Sequence, residues 1–361
     1  MSTMTENAEL LELAREFAEG ELAPYEAERD AAGTLPDDLF ATLGEMGFFG
    51  MVVPEEAGGL GLDAVTFHAL LAILAEADPS VALVVAEHGA AAATVAAAGA
   101  DAELVGALAM GEALAPSAVL EGGADEVGPI FATTLDGGAV SGTKRMVVNG
   151  SRASRFLVVA ESHGAPVLTS VDGAASGLSR GERATTMGLS ALDLSTVAFE
   201  DAAAERVAGD PVGALVARRR AGVAAVAVGV ARSSLRHAVR YAEERAQFGR
   251  SLSRFDAIQA KLADVTSRTA AAESLVRAVA ADLDAGAPST GRAASAKIVA
   301  SEAAMFAADE AVQIFGGYGY MRDYPVEKRM RDAKGLEVLA GTNEALRRVV
   351  TQDLLAGFRA S

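Results

Sequence analysis

The sequence predicts an α+β protein, mostly α, with an N-terminal helical domain, a middle antiparallel β domain and a C-terminal four-helix bundle. Three observations carry that reading. Apolar residues recur at helical spacing up to about residue 113. Between 114 and 208 the period changes to two, and short strand-forming runs alternate with Gly-containing turns. From 209 to 361 helical spacing returns in long stretches, with no Pro between 212 and 286. The expected domains are therefore 1–113, 114–208 and 209–361.

In the first domain, Leu10, Leu11, Leu13, Ala14 and Phe17 share one helical face, and Leu39, Leu43, Met46 and Phe49 share another. Gly33 to Pro36 separates them as a turn running into a helix start. Pro54 to Asp63 is a Gly-rich loop, but no strand precedes it and no Gly-Lys-Ser/Thr follows, so it is a connector rather than a phosphate loop. Helical runs are expected at 64–77 and 79–98, the second rich enough in small residues to be buried. The β runs are 139–148, 156–160, 167–171 and 194–199, punctuated by Asp-Gly and Asn-Gly turns. The bundle helices are expected at 222–245, 257–285, 291–314 and 346–358, with a charged segment, Glu327 to Lys334, between the last two.

A net charge of -18 argues against a nucleic-acid partner, which requires a basic face. The absence of cysteine excludes disulfides, thiol nucleophiles and Cys-ligated metal. His68, His88, His163 and His237 show no metal-ligand spacing and read as core or surface residues, so no metal is expected. The first 22 residues lack the basic and apolar regions of a secretory signal. The apolar stretches are Ala/Gly-rich or broken by charges, so no membrane span is expected and a cytoplasmic protein is the default.

The chemistry concentrates in Gln313 to Glu344. Gly316, Gly317 and Gly319 follow a long Ala-rich amphipathic run, where the missing Cβ lets backbone approach a ligand. Tyr318 and Tyr320 are placed to flank a planar ring. Gly341, Thr342 and Asn343 read as a turn into a helix N-terminus, which favours anions. A second signature runs from Tyr241 through Arg245, Gln247, Phe248 and Gly249 to Asp264. Together the two stretches resemble the flavin-binding segments of the acyl-CoA dehydrogenase family, and the resemblance extends over nearly the whole chain.

That resemblance implies FAD as cofactor, with Arg245 as the planar fork for a phosphate, Gln247 as a donor to phosphate or ribose, and Phe248 as a wall for a ring. In the family these positions, together with Gln313, Ile314, Gly316 and Gly317, serve an FAD held mainly by a neighbouring subunit, while Thr342, Asn343 and Glu344 match those that close over the cofactor. Met146 and Val148 fall where the family has an aromatic and a hydroxyl residue near the flavin, and Ala118 to Asp125 falls where it has two hydroxyl-bearing loops. The pocket over the flavin is therefore expected to be remodelled. The resemblance also implies an acyl-CoA or acyl-carrier thioester as substrate, an electron-transfer flavoprotein or similar acceptor, and a homotetramer, or a heterotetramer with a Glu-containing paralogue.

Dehydrogenating a thioester needs a carboxylate to take the α-proton. The family places this Glu just before Gly-Thr, where this chain has Ala340, or at the start of the long helix after the β domain, where it has Arg219. Glu337, Glu344 and Glu121 are the remaining candidates, each with a structural or solvated alternative. A catalytically silent, FAD-sharing subunit and altered flavin chemistry are competing readings. Arg218 to Arg220 reads as a solvated helix start, or as a cluster for CoA phosphates or a substrate carboxylate. Arg220, Leu339 and Ala340 are the expected substrate-binding residues, with a roomier pocket at 339 and 340.

Overall fold

The computed structural model describes residues 2–121, 132–209 and 211–360. Helices α1 (Ser2–Phe17), α2 (Glu26–Ala32), α3 (Asp37–Glu45), α4 (Ala64–Ala77), α5 (Pro79–Ala97) and α6 (Ala102–Ala109) form the N-terminal part. The starts of α4 and α5 are each set by one carboxylate. Asp63 accepts from the Thr66 N–H, and Asp78 accepts from the Ser80 and Val81 N–H groups, with Pro79 in the first turn of α5. By length and hydropathy α5 does meet the requirement for a membrane span, contrary to the sequence expectation; 83% of that window is buried inside the protein, which makes it a core helix.

Among the described residues the middle part holds seven strands: β1 (Ser117–Ala118), β2 (Thr134–Asp136), β3 (Ala139–Val148), β4 (Arg155–Ser162), β5 (Ala165–Asp172), β6 (Leu178–Arg183) and β7 (Leu194–Arg206). Their pairing closes a circuit, β2–β3–β7–β5–β4–β2, with β1 and β6 at its margins. The expectation of an antiparallel sheet holds for most pairs, but β1–β4 and β2–β4 are parallel. The reason is topological. The hairpins β2–β3 and β4–β5 are each antiparallel, and closing the circuit between them sets β2 beside β4 in the same direction. The β4–β5 turn puts His163 and Gly164 at φ 53° and 83°, as two-residue hairpin turns require.

The C-terminal part comprises α7 (Val212–Glu244), a small β8–β9 hairpin (Ala246–Gln247 and Arg250–Ser251), α8 (Asp256–Asp284), α9 (Thr290–Phe315), α10 (Val326–Val338) and α11 (Asn343–Ala360). Gly229 lets α7 cross α4 closely, since a Cβ there would stand 2.3 Å from the Ala72 carbonyl oxygen. The helix α7 starts at Val212, ahead of the expected Gly222, so Arg218 to Arg220 lie within it. They are not a solvated helix start, because Arg219 and Arg220 are buried. The charged segment Glu327–Lys334 is helical, and two of its cations, Lys328 and Arg329, point inward. Lys328 reaches Glu26 at 2.9 Å and Asp332 at 2.6 Å, Arg329 makes a two-pronged contact with Glu26, and Arg29 pairs with Asp78 at 2.8 Å. This buried network fastens α10 to α2 and the α4–α5 corner.

Candidate functional site

The two sequence signatures meet at the far end of the bundle. The Tyr241 ring of α7 stacks on Phe315 of α9 with centroids 4.1 Å apart and planes at 16°, in a cluster that includes Ile314, Leu252 and Tyr324. The chain leaves α7 at Arg245 and turns through Phe248 (φ 50°) and Gly249 (φ 77°), which lifts Phe248 off the surface at 93% exposure. Arg245 and Gln247 are also exposed, and the Arg245 guanidinium sits 5.9 Å from the Tyr318 ring centre. Arg245 has no carboxylate partner among the described residues. Across from it, Gln313 is exposed at the end of α9, and Gly316 adopts φ 60° and ψ −136°, a conformation open only to glycine. A Cβ added at Gly316 or Gly317 would meet open space, so that face is clear for a ligand or a second chain.

These residues fit a dinucleotide. An uncommitted guanidinium suits a diphosphate, exposed Phe and Tyr rings suit a planar base, and a bare glycine backbone permits close approach.

Thr342, Asn343, Met146 and Val148 do not join that edge. Thr342 and Asn343 follow the other end of α10, whose 13 residues span roughly 18 Å at 1.5 Å per step. Met146 sits at a bulge of β3 with φ 53° and packs, with buried Val148, against the same core cluster as Leu339 and Ala340. Thr342 caps α11 by accepting from the Ala345 N–H at 3.2 Å. Asn343 points inward rather than to an open face: its side chain bonds Lys297 at 2.9 Å and Ser301. Lys297, unremarked in the sequence, is buried and also donates to the carbonyls of Glu337 and Gly341, both at 2.8 Å. It thereby pins the loop in which Ala340 (φ 56°) and Gly341 (φ 101°) take left-handed conformations. A lysine in an otherwise small-residue helix was the available signal, since a buried ammonium must find acceptors.

The candidate carboxylates are mostly engaged. Glu121 accepts from Lys144 and from the N–H groups of Ala132 and Thr133. Burial raises its carboxyl, but those hydrogen bonds outweigh burial and hold it below the ordinary range, a poor setting for a base. Glu337 pairs with Lys334, while Glu344 is exposed in the first turn of α11 with only a 3.9 Å contact to Arg347. Residues Gly122 to Asp125, the rest of the Ala118–Asp125 stretch, lie outside the described residues. Arg219 is committed to Glu87, whose two oxygens lie 2.9 and 3.1 Å from Nε. Glu87 was missed; its signal was a single carboxylate in the otherwise apolar α5, which burial obliges to pair. Arg220 reaches the carbonyls of Ala340 at 3.5 Å and Thr290 at 3.3 Å, so it is not presented to a CoA phosphate. Leu339 and Ala340 are both buried in the core, so the short side chain at 340 opens no chamber by itself. His88 is buried and bonds the Leu108 carbonyl at 2.9 Å, and burial lowers its pKa to about 4. Among the described residues no group of three or more His, Asp or Glu is placed to hold a metal.

Comparison with known proteins gives a consistent family. Residues 4–104 match the domain described as "Acyl-CoA dehydrogenase, N-terminal domain", and residues 212–355 match "Acyl-CoA dehydrogenase, C-terminal domain". The chain is 32% identical over 381 positions to an acyl-CoA dehydrogenase of Bacillus subtilis (strain 168), covering 99% of this chain and 100% of that one. It is 31% identical over 379 positions to the acryloyl-CoA reductase (NADH) of Anaerotignum propionicum, covering 98% and 95%. The solved structure of butyryl-CoA dehydrogenase from Megasphaera elsdenii superposes with a TM-score of 0.89 at 32% identity, over 97% of this chain and 98% of that one.

Proposed function

The chain belongs to the acyl-CoA dehydrogenase family, and on that premise we propose that it is an FAD-dependent oxidoreductase acting on the CH–CH group of an acyl thioester, carried by CoA or a carrier protein. The observation that carries this is the meeting of Arg245, Gln247 and Phe248 with Gln313 to Gly317 on one open edge. Bound FAD would supply the hydride acceptor for the oxidation. Arg245 and Gln247 would hold the diphosphate and ribose, Phe248 would wall a ring, and the bare backbone at Gly316 and Gly317 would let the nucleotide lie beside Gln313; Ile314, expected at this edge, is instead buried in the cluster beneath it. Thr342 to Glu344, with Met146 and Val148, border the flavin of a second site.

Because Thr342 to Glu344 follow the end of α10 opposite the Arg245 edge, each cofactor is completed by two chains, in a homotetramer or in a heterotetramer with a Glu-containing paralogue. Exposed apolar residues support an assembly: Phe248 on the hairpin, and Leu354 and Leu355 on α11. An electron-transfer flavoprotein or similar carrier takes the electrons, and the protein works in the cytoplasm.

Proton acceptance falls to a carboxylate outside the two family positions. Glu337 and Glu344 flank Ala340, and Glu344 is the one with open lone pairs. Arg220, Leu339 and Ala340 close the flank of the acyl site, with Arg220 fixing the backbone at 340.

Anaerobic flavin bleaching of the purified protein by a panel of saturated acyl-CoA thioesters tests the reading, together with re-oxidation of dithionite-reduced protein by enoyl-CoA thioesters for the opposite direction. Near-stoichiometric bleaching, reduced ~10²-fold or more in Glu344→Gln or Glu337→Gln, supports it and identifies the acceptor. Bound FAD that no thioester bleaches or re-oxidises refutes it and favours a silent subunit sharing its cofactor with an active one.

A further inference from the structure

A cavity of about 260 Å³ lies away from both flavin-facing sets, between α4, α5, the end of α8 and the loop before α4. Its walls are apolar, built from Val52, Leu62, Phe67, Ala90, Ala93 and Leu283. Gly89 makes room for one wall, since a Cβ there would stand 2.6 Å from the Phe67 ring. Arg218, His68 and Asp284 are the titratable side chains in the lining.

Their commitments differ sharply. Asp284 is spoken for, accepting from the Ala64 N–H at 2.6 Å and the Val65 N–H at 3.3 Å. His68 turns Nδ1 to the Ala64 carbonyl at 2.5 Å, and burial lowers its pKa, so the ring is neutral and Nδ1 carries the proton. Its Nε2 is buried without a partner among the described residues. Among the described residues Arg218 reaches only the Thr94 hydroxyl, at 3.4 Å, and that hydroxyl already donates to the Ala90 carbonyl at 2.7 Å. No carboxylate pairs with Arg218 among the described residues, although its neighbour Arg219 pairs with Glu87. A guanidinium carries five N–H donors, and a partly buried one beside an apolar hollow, with a single long contact to a neutral oxygen, lacks its counter-ion. Burial is the sole cause acting on its pKa, and it acts downward.

We propose that this cavity binds a small monocarboxylate with an apolar tail, its carboxylate on the Arg218 fork and its tail against Phe67, Ala90 and Ala93. The planar fork matches a carboxylate in two-pronged geometry. The apolar walls require a hydrocarbon tail, and the nearby Asp284 carboxylate disfavours a doubly charged ligand such as phosphate. The volume falls below the ~300–1,000 Å³ typical of pockets for drug-sized ligands, which limits the tail to a short chain or one ring. Neither Glu87 nor Arg219, nor any residue assigned to the flavin, is among its lining, so it is a second ligand site.

Calorimetric titration of the flavin-loaded protein with hexanoate and benzoate, with acetate and phosphate as controls at fixed ionic strength, tests it. The expected result is one saturable site per chain for hexanoate or benzoate, with acetate and phosphate at least tenfold weaker. Arg218→Met should weaken binding at least tenfold, and so should Ala93→Leu, which fills the hollow; flavin content should stay unchanged in both. Arg218→Met removes a charge that has no ionic partner and so tests the site even where Ala93→Leu fails to fold. Absence of saturable binding by the wild-type protein, phosphate bound as tightly as hexanoate, or wild-type affinity in Arg218→Met overturns the proposal.

Discussion

Replacing Lys297 by Met should loosen the loop that carries Ala340, Gly341 and Thr342. The ammonium is fully buried and donates to the carbonyls of Glu337 and Gly341 and to Asn343 Oδ1, at 2.8, 2.8 and 2.9 Å. Methionine keeps the volume and removes every donor. Asn343 retains its bonds with Ser301, so two buried carbonyls bear most of the loss. An unsatisfied buried acceptor costs about 1–3 kcal/mol, and removing a buried ammonium returns part of that. A net loss of about 2–4 kcal/mol follows. With 361 residues and an unfolding entropy of about 2.1 cal/mol/K per residue, each kcal/mol is worth about 1.3 °C, so Tm should fall by roughly 3–5 °C. Because Thr342 and Asn343 follow directly in the chain, flavin should also dissociate faster, read as fluorescence released after desalting. A Tm within 1 °C of wild type, with unchanged flavin retention, would refute the argument that Lys297 holds this loop.

Three other variants probe separate parts of the molecule. Arg245→Ala should weaken FAD binding by about 10–100-fold, the loss of one charge-assisted phosphate contact; a flavin fluorescence titration at wild-type affinity would count against the hairpin as a nucleotide site. Glu87→Gln replaces the carboxylate that Arg219 Nε donates to by a neutral amide and should lower unfolding free energy by about 1–3 kcal/mol in a urea titration, the cost of weakening a buried charge-assisted hydrogen bond. His88 provides a pH signature: its folded pKa of about 4 lies below the unfolded value near 6.5, so the unfolded chain takes up a proton first as pH falls. Stability should decline between those values, by about 3 kcal/mol in total, and urea midpoints of His88→Gln should show a correspondingly shallower decline.

The sequence by itself determined what depends on neighbours along the chain. Hydrophobic spacing located α4, α5, α8 and α9 to within a residue or two, because a buried stripe must repeat with the helix. The period of two marked the longer strands β3, β4, β5 and β7, but not β1, β2 or β6, which are short or largely exposed and carry little apolar alternation. The glycines of the open edge at Gly316 were legible because Gly316 needs a backbone conformation closed to other residues. The family resemblance named the cofactor, and it flagged Ala340 and Arg219 as non-carboxylates. Tertiary structure decided the rest. Only folding sets Tyr241 on Phe315, gives Arg219 to Glu87, turns Lys328 and Arg329 of α10 inward, and aims Lys297 at the loop beside Ala340. Among the described residues it also leaves Arg218 without a carboxylate, in a run of three arginines that look alike in the sequence. The reason is physical: a residue's own type and spacing fix which way its helix face must turn, whereas the partner that a buried charge finds is set by elements brought alongside from far away in the chain.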